Sequence, residues 1–131
     1  VPTQQPRLLI TDDDQAFRQS LAEAMVRRGF DTLQASDGQE ALEILGHQPV
    51  HLMMLDVHMP RLSGLATLER LNLQAETRPL PCILMSAKMD EDIVREARRW
   101  SSVSLLSKPF SLGLATSTLS DLLLEVYGWE M

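Results

Sequence analysis

Three carboxylates in a row, Asp12-Asp13-Asp14, follow directly on the apolar run Leu8-Leu9-Ile10 and Thr11, and a further acid, Asp56, follows Leu52-Met53-Met54-Leu55. Two carboxylates about 4 Å apart at an effective dielectric near 20 repel by roughly 4 kcal/mol, so acids gathered where buried strands stop call for a cation. Oxygen-only ligands suit Mg²⁺, with Mn²⁺ as a substitute. Mg²⁺ keeps several waters and accepts one or two carboxylates together with phosphate oxygens. Two other polar residues stand in the same relation to apolar runs: Ser86 after Cys82 to Met85, and Lys108 just past Val103 to Leu106. The formal charges of Asp12, Asp13, Asp56, one divalent cation and Lys108 cancel. A neutral pocket of that kind can accept a phosphoryl group.

The elements that must bring these residues together alternate along the chain. After the polar start, Arg7 to Thr11 reads as a buried strand, and Gln15 to Arg28 as a helix with Phe17, Leu21, Ala24 and Met25 at helical spacing, stopped by Gly29. Thr32 to Ala35 is a second strand, and Ser36-Asp37-Gly38 opens a helix carrying Ala41, Leu42 and Leu45 that Pro49 terminates. Val50 to Leu55 is the most apolar strand, and a loop with Pro60 and Gly64 leads to a helix using Leu65, Leu68 and Leu71. Pro79 and Pro81 break the chain before the strand Cys82 to Met85. Then come a helix from Asp90 to Arg99 with Ile93 and Ala97 inward, the strand Val103 to Leu106, and a last helix using Leu112, Ala115, Leu119, Leu122 and Val126. This pattern predicts an α/β fold, a doubly wound parallel sheet covered by helices on both faces. In such folds the site lies beyond the carboxyl ends of the strands, where all the residues singled out above converge.

The 131 residues, 44% of them hydrophobic, fit one domain with a sizeable core. No apolar run approaches the roughly 20 residues of a membrane helix, and the start lacks a secretory layout, which predicts a cytoplasmic protein without a membrane partner. The single Cys82 forms no internal disulfide. A net charge of -6 argues against direct nucleic-acid binding and for protein or metal partners. The chain opens on Val1 rather than Met and reads as a piece of a longer protein.

Taken together, the motifs resemble the receiver domains of bacterial two-component response regulators, the chemotaxis-regulator-like group. The matching pieces are Asp12-Asp13, Phe17-Arg18, Gly29, the DG-x-EAL run from Asp37 to Leu42, the D-V-H-M-P run from Asp56 to Pro60 with Gly64, Ser86-Ala87, and Lys108-Pro109-Phe110. The resemblance implies a flavodoxin-like, five-stranded sheet of order 2-1-3-4-5 flanked by five helices. The receiver domain would span 7–127, with an N-terminal tail at 1–6 and a C-terminal tail or linker start at 128–131. It implies that Asp56 is the phosphoacceptor, attacking the phosphohistidine of a sensor histidine kinase or phosphotransfer protein. Asp13, Asp56 and the main-chain carbonyl of His58 would bind Mg²⁺, with Asp12 acting through a water. Ser86 and Lys108 would each pair with a phosphoryl oxygen, and Lys108-Pro109 would be cis, a geometry that only X-Pro bonds make inexpensive. His58 and Lys88 would border the path of a hydrolytic water. An output domain or target protein is implied, and a phosphorylation-dependent homodimer is admitted.

Other readings were weighed residue by residue. Asp14 fits a helix N-cap or first-turn acid better than a ligand. The ring of His58 is expected to face solvent, since imidazole suits Zn better than Mg, and Met53, Met54 and Met85 are expected in the core. Trp100 and Trp129 have no part in the chemistry. A phosphorylation-independent pseudo-receiver, acting as a protein-binding scaffold, would be expected to lose Asp13, Asp56 or Lys108, and all are present. A haloacid-dehalogenase-like phosphatase would need a second acid where His58 stands. Two departures from the family concern output. Ser101-Ser102 replaces a small Gly-Ala pair and is expected to reshape that junction, and Leu105 occupies the position of a rotating aromatic switch. The signal, carried in the family by helix 4, strand 5 and helix 5, is therefore expected to pass mainly through Ala87 to Asp90 and the adjoining helix. Leu105 would stay packed in both states.

Overall fold

The inner strands of this chain are apolar on both sides, and the sheet shows why. In the computed structural model, which describes residues 5–74 and 80–131, the elements run β1 Arg7–Thr11, α1 Gln15–Arg27, β2 Asp31–Ala35, α2 Gly38–Leu45, β3 Leu52–Asp56, α3 Gly64–Gln74, β4 Cys82–Ser86, α4 Glu91–Ala97, β5 Val103–Ser107 and α5 Leu112–Tyr127. The strands pair in parallel in the order β2-β1-β3-β4-β5, the doubly wound arrangement expected. Pro79, read as a chain break, and the first four residues of the 1–6 tail lie outside the described residues.

Alternate side chains feed two cores. Leu8, Ile10, Leu52, Met54, Ile83 and Met85 meet α1 and α5 through Leu21, Met25, Leu119 and Leu122. Leu9, Met53, Leu55, Cys82 and Leu84 meet α2, α3 and α4 through Ala41, Leu68, Ile93 and Ala97. A central parallel strand buried on both faces has to be a continuous apolar run, which is what the third strand is. Met53, Met54 and Met85 are fully buried, as core filling requires.

Several boundaries differ from the sequence expectation for identifiable reasons. The third strand begins at Leu52 rather than Val50, because the Nδ1 of His51 accepts the Arg7 N–H at 2.9 Å in place of a ladder carbonyl. Asp90 stands outside α4 as its N-cap, accepting the Ile93 N–H at 2.9 Å, and the helix closes at Ala97 in turns through Arg99 and Trp100. In α5, Leu123 is buried and Val126 only partly so. Gly29 follows α1 with φ 98°, the left-handed stop that was expected. Trp129, in the segment expected to be a tail, packs on the first core and stacks on Tyr127 at 5.1 Å and against His51 at 4.8 Å. The Tyr127 hydroxyl donates to the His51 carbonyl at 2.8 Å. Trp100 packs on the second core beneath the Arg99 guanidinium, 4.9 Å away. Among the described residues two non-glycines are left-handed, Arg61 at φ 66° and Ser102 at φ 60°, a conformation that costs about 1–2 kcal/mol for residues with a Cβ. Ser102 places its carbonyl on the Cys82 N–H at 3.0 Å, so the Ser101-Ser102 junction feeds the β4–β5 ladder directly.

Gly64 opens α3 where its backbone crosses the end of β3. A methyl there would overlap the Asp56 carbonyl oxygen and come within 2.9 Å of Val57 Cα, whereas one at Gly46 meets only ordinary contacts beyond 3.4 Å. Gly64→Ala is expected to destabilise the fold by about 1–3 kcal/mol through overpacking, and Gly46→Ala to be neutral or stabilising by up to about 1 kcal/mol. Urea midpoints measure both, and equal midpoints would remove the close approach at Gly64 from the account.

Candidate functional site

Parallel register lines up the strand ends. Thr11 pairs with Leu55, Asp56 with Met85 and Ser86 with Ser107, so Asp12, Asp56, Ser86 and Lys108 emerge along one edge of the sheet. The ladder continues just past the strands. The N–H of Asp12 bonds to Ala35 at 3.1 Å, that of Val57 to Met85 at 2.9 Å and that of Lys108 to Ser86 at 2.8 Å. The Lys108-Pro109 peptide is cis.

Carboxylate oxygens of Asp12, Asp13 and Asp56 lie within 4.8 Å of one another. Asp12 is fully buried, Asp56 nearly so, and Asp13 exposed. Lys108 Nζ sits 2.6 Å from Asp12 Oδ2 and 3.3 Å from Asp56 Oδ1. The other Asp12 oxygen accepts the Asp14 N–H at 2.9 Å. Burial is the largest influence on the Asp56 carboxyl and holds its pKa above the usual carboxylate value; the Asp12 charge adds to this, and Lys108 opposes it. Burial alone would lower the Lys108 pKa, but its hydrogen bond to Asp12 and the charges of Asp12 and Asp56 outweigh that and raise it. The lysine is therefore a fixed cation, ion-paired with Asp12 and Asp56 but not with Asp13, so the three carboxylates outnumber the ammonium that pairs with them. Clustered oxygen donors with that excess suit a hard divalent ion.

The remaining residues singled out in the sequence are distributed around this cluster. Ser86 is fully buried, and its Oγ accepts the Lys88 N–H at 3.1 Å, which leaves its own proton available to donate. The side chains of His58 and Lys88 are exposed. Leu105 pairs with Leu84 in the sheet and is partly buried against the second core. Asp14 caps α1, accepting the Phe17 N–H at 3.1 Å.

Two supporting contacts escaped the sequence reading. Arg18 donates to the Asp12 carbonyl at 2.7 Å and to Gln34 Oε1 at 3.0 Å, tying the first helix to the acid-bearing turn. The Phe17 ring lies 4.2 Å from Lys108 Nζ and meets Phe110 edge-on at 6.1 Å, so an aromatic wall covers the lysine. Phe17 and Arg18 were visible as the first turn after the Asp14 cap, but nothing in their spacing gives the angle at which that turn faces the site. Asp37, the cap of α2, is paired with Arg61 at 2.6 Å. Its carboxyl is held below the usual range chiefly by the Glu40 N–H, with Arg61 assisting and burial opposing.

Comparison with known proteins agrees with this geometry. The family profile described as the response regulator receiver domain matches residues 8–119. The response regulator RR06 of Streptococcus pneumoniae is 33% identical over 92% of this chain, and the transcriptional activator protein PfeR of Pseudomonas aeruginosa is 37% identical over 92%. The chain spans 54% of the length of the first and 39% of the second. Among solved structures, a response regulator receiver protein from Pseudomonas putida superposes with a TM-score of 0.84 at 27% identity, covering 92% of this chain and 99% of that one.

The electrostatics of Asp56 give a signed expectation. Because its pKa is raised on folding, the stability it contributes is complete below the unfolded value, about 3.9, and is lost as pH rises through the folded value. Without divalent ions, Asp56→Asn should melt higher than wild type at pH 7, and the gap should close as pH falls below about 4. Parallel melting curves with a constant gap across that range would contradict this assignment.

Proposed function

This chain belongs to the response regulator receiver domain family, and we propose that Asp56 is its phosphoacceptor in a two-component system, with Mg²⁺ as cofactor. Receiver domains are signalling domains that work with histidine kinases and output domains rather than as free-standing enzymes. The observation that carries the reading is the pairing of Lys108 with Asp12 and Asp56 beside Asp13, at the carboxyl edge of the sheet. The scaffold alternative is not favoured, because the acids and the lysine it could dispense with are all present and in mutual contact.

In this reading a phosphohistidine on the partner protein presents its phosphorus to an Asp56 oxygen. The O–P bond forms as the P–N bond breaks, and the imidazole leaves with the electron pair. Asp13, Asp56 and the His58 carbonyl would hold Mg²⁺, with Asp12 acting through a water. When bound, the ion would supply positive charge against the phosphoryl oxygens and the Asp56 carboxylate. Lys108 rests on Asp12 and turns to one phosphoryl oxygen, while the free Ser86 proton is donated to another. Positioning and neutralisation of this kind account for most of phosphoryl-transfer catalysis. Lys88 and His58, both exposed beside the site, border the entry of a hydrolytic water. The unit taken as the receiver is 7–127, and its setting is the cytoplasm. Among the described residues no helix is long and apolar enough to cross a membrane.

Intact-mass analysis after incubation with acetyl phosphate and Mg²⁺ tests the acceptor. One phosphoryl group should be added to wild type and none to Asp56→Asn, nor to wild type in chelator; equal labelling of both proteins would refute Asp56. Transmission is tested by hydrogen exchange with and without beryllofluoride. The adduct adds negative charge and acceptor oxygens, so Ser86 should be drawn in and protection should change between Ala87 and Arg99, with Leu105 unaltered. Changes confined to the acid cluster would mean that this face carries no signal.

A further inference from the structure

The loop from Asp56 to Gly64 is tied down in an unusual way. The Pro60 carbonyl accepts the Leu62 N–H at 2.7 Å around Arg61, whose φ is 66°. A three-residue turn with positive φ at its centre is the rare, strained form, and an arginine with its Cβ is an unfavourable occupant of that backbone. The side chain shows what the turn achieves. From a position 75% exposed, Arg61 Nη2 reaches an Asp37 carboxylate that is only 7% exposed.

Asp37 is a rigid anchor. Its other oxygen accepts the Glu40 N–H at 2.8 Å as the cap of α2, and the neighbouring Gly38 lies so close to Thr67 and the Leu62 carbonyl that no Cβ fits. At the far side of the loop, the Gly64 N–H closes on the Val57 carbonyl at 2.8 Å. His58, Met59 and Pro60 hang between these two ties. An ion pair with one partner in solvent adds little stability, and here it coexists with a left-handed backbone at Arg61.

We infer that the Arg61–Asp37 pair is a positioning clamp that sets the β3–α3 loop, holding the His58 main-chain carbonyl in register with the Asp13 and Asp56 carboxylates for a divalent ion. This rests on the metal reading proposed above. Arg61 is a positioning residue and touches neither the metal nor the phosphoryl group. It tunes affinity through the loop, as outer contacts of metal sites do.

The test is MgCl₂ titration followed by amide NMR on wild type, Arg61→Asn, Asp37→Asn, the double variant and Asp13→Asn, with melting midpoints taken in chelator. Asparagine tolerates the left-handed turn at 61 and caps a helix as well as aspartate at 37, so each single change removes the pair and leaves local structure in place. Each should weaken Mg²⁺ binding about tenfold, and the double variant should weaken it no further, since both changes break one interaction. Midpoints in chelator should stay within about 3 °C of wild type. If Asp13→Asn loses Mg²⁺ while both clamp variants bind like wild type, the ligand reading stands and the clamp is overturned. Affinity that falls only in step with the midpoint would also overturn it, leaving a merely structural pair. If Asp13→Asn binds as wild type does, the ligand reading falls and takes the clamp with it.

Discussion

Asp12 and Asp56 sit side by side at the end of a buried sheet because one ammonium group lies 2.6 Å from the first and 3.3 Å from the second. Much of the surrounding architecture serves that contact. Strands β1 and β3 are neighbours, so the two acids emerge next to each other, at the position where strand order reverses and doubly wound folds place their ligands. The lysine must come from beyond β4, and it does so because the Lys108 N–H is fastened to the Ser86 carbonyl at 2.8 Å. Phe17 and Phe110 then close over its side chain. The site is thus short of positive charge by design of the strand order, and that shortage is what gives a divalent ion or a phosphoryl group something to correct.

The two edges of the sheet are specialised in opposite ways. Where the strands end, acids and a lysine gather beneath the Phe17 and Phe110 rings. Where β3 begins, His51 accepts the Arg7 N–H, Tyr127 bonds to its carbonyl, and Trp129 stacks on both rings. Burial lowers the His51 pKa, with Arg7 assisting, in keeping with a ring that accepts rather than donates at Nδ1. The polar edge carries clustered charge, and the opposite edge carries clustered aromatic rings.

The alternation of strands and helices was legible because the three inner strands β1, β3 and β4 are buried on both faces and stand out as apolar runs, while the edge strands β2 and β5 are marked mainly by the Gly and Ser-rich turns around them. The same runs led to Asp12, Asp56, Ser86 and Lys108, since a polar residue directly behind such a run can only face the strand end. What local patterns could not give were contacts between distant elements. Val50 and His51 looked like strand, yet the imidazole takes over a backbone partner. Arg61 stands in the loop between Pro60 and Gly64, and its left-handed backbone and its reach to Asp37 depend on where α2 begins in space. Phe17 was read as a helix residue facing the core, and only the placement of Lys108, far along the chain, turns its ring into the lysine's cover.

The positions of the two tryptophans have an optical consequence. Trp129 stacks where β3 begins, and Trp100 packs just ahead of Val103, where β5 begins. Strands of five residues, rising about 3.3 Å per residue, separate that edge from the acids by roughly 15 Å. Neither indole therefore touches an ion or phosphoryl group at the carboxyl edge, and direct contact quenching is excluded. Any change in intrinsic emission when that edge is occupied records a displacement relayed through the sheet, so the chain carries its own reporter of long-range motion rather than of occupancy.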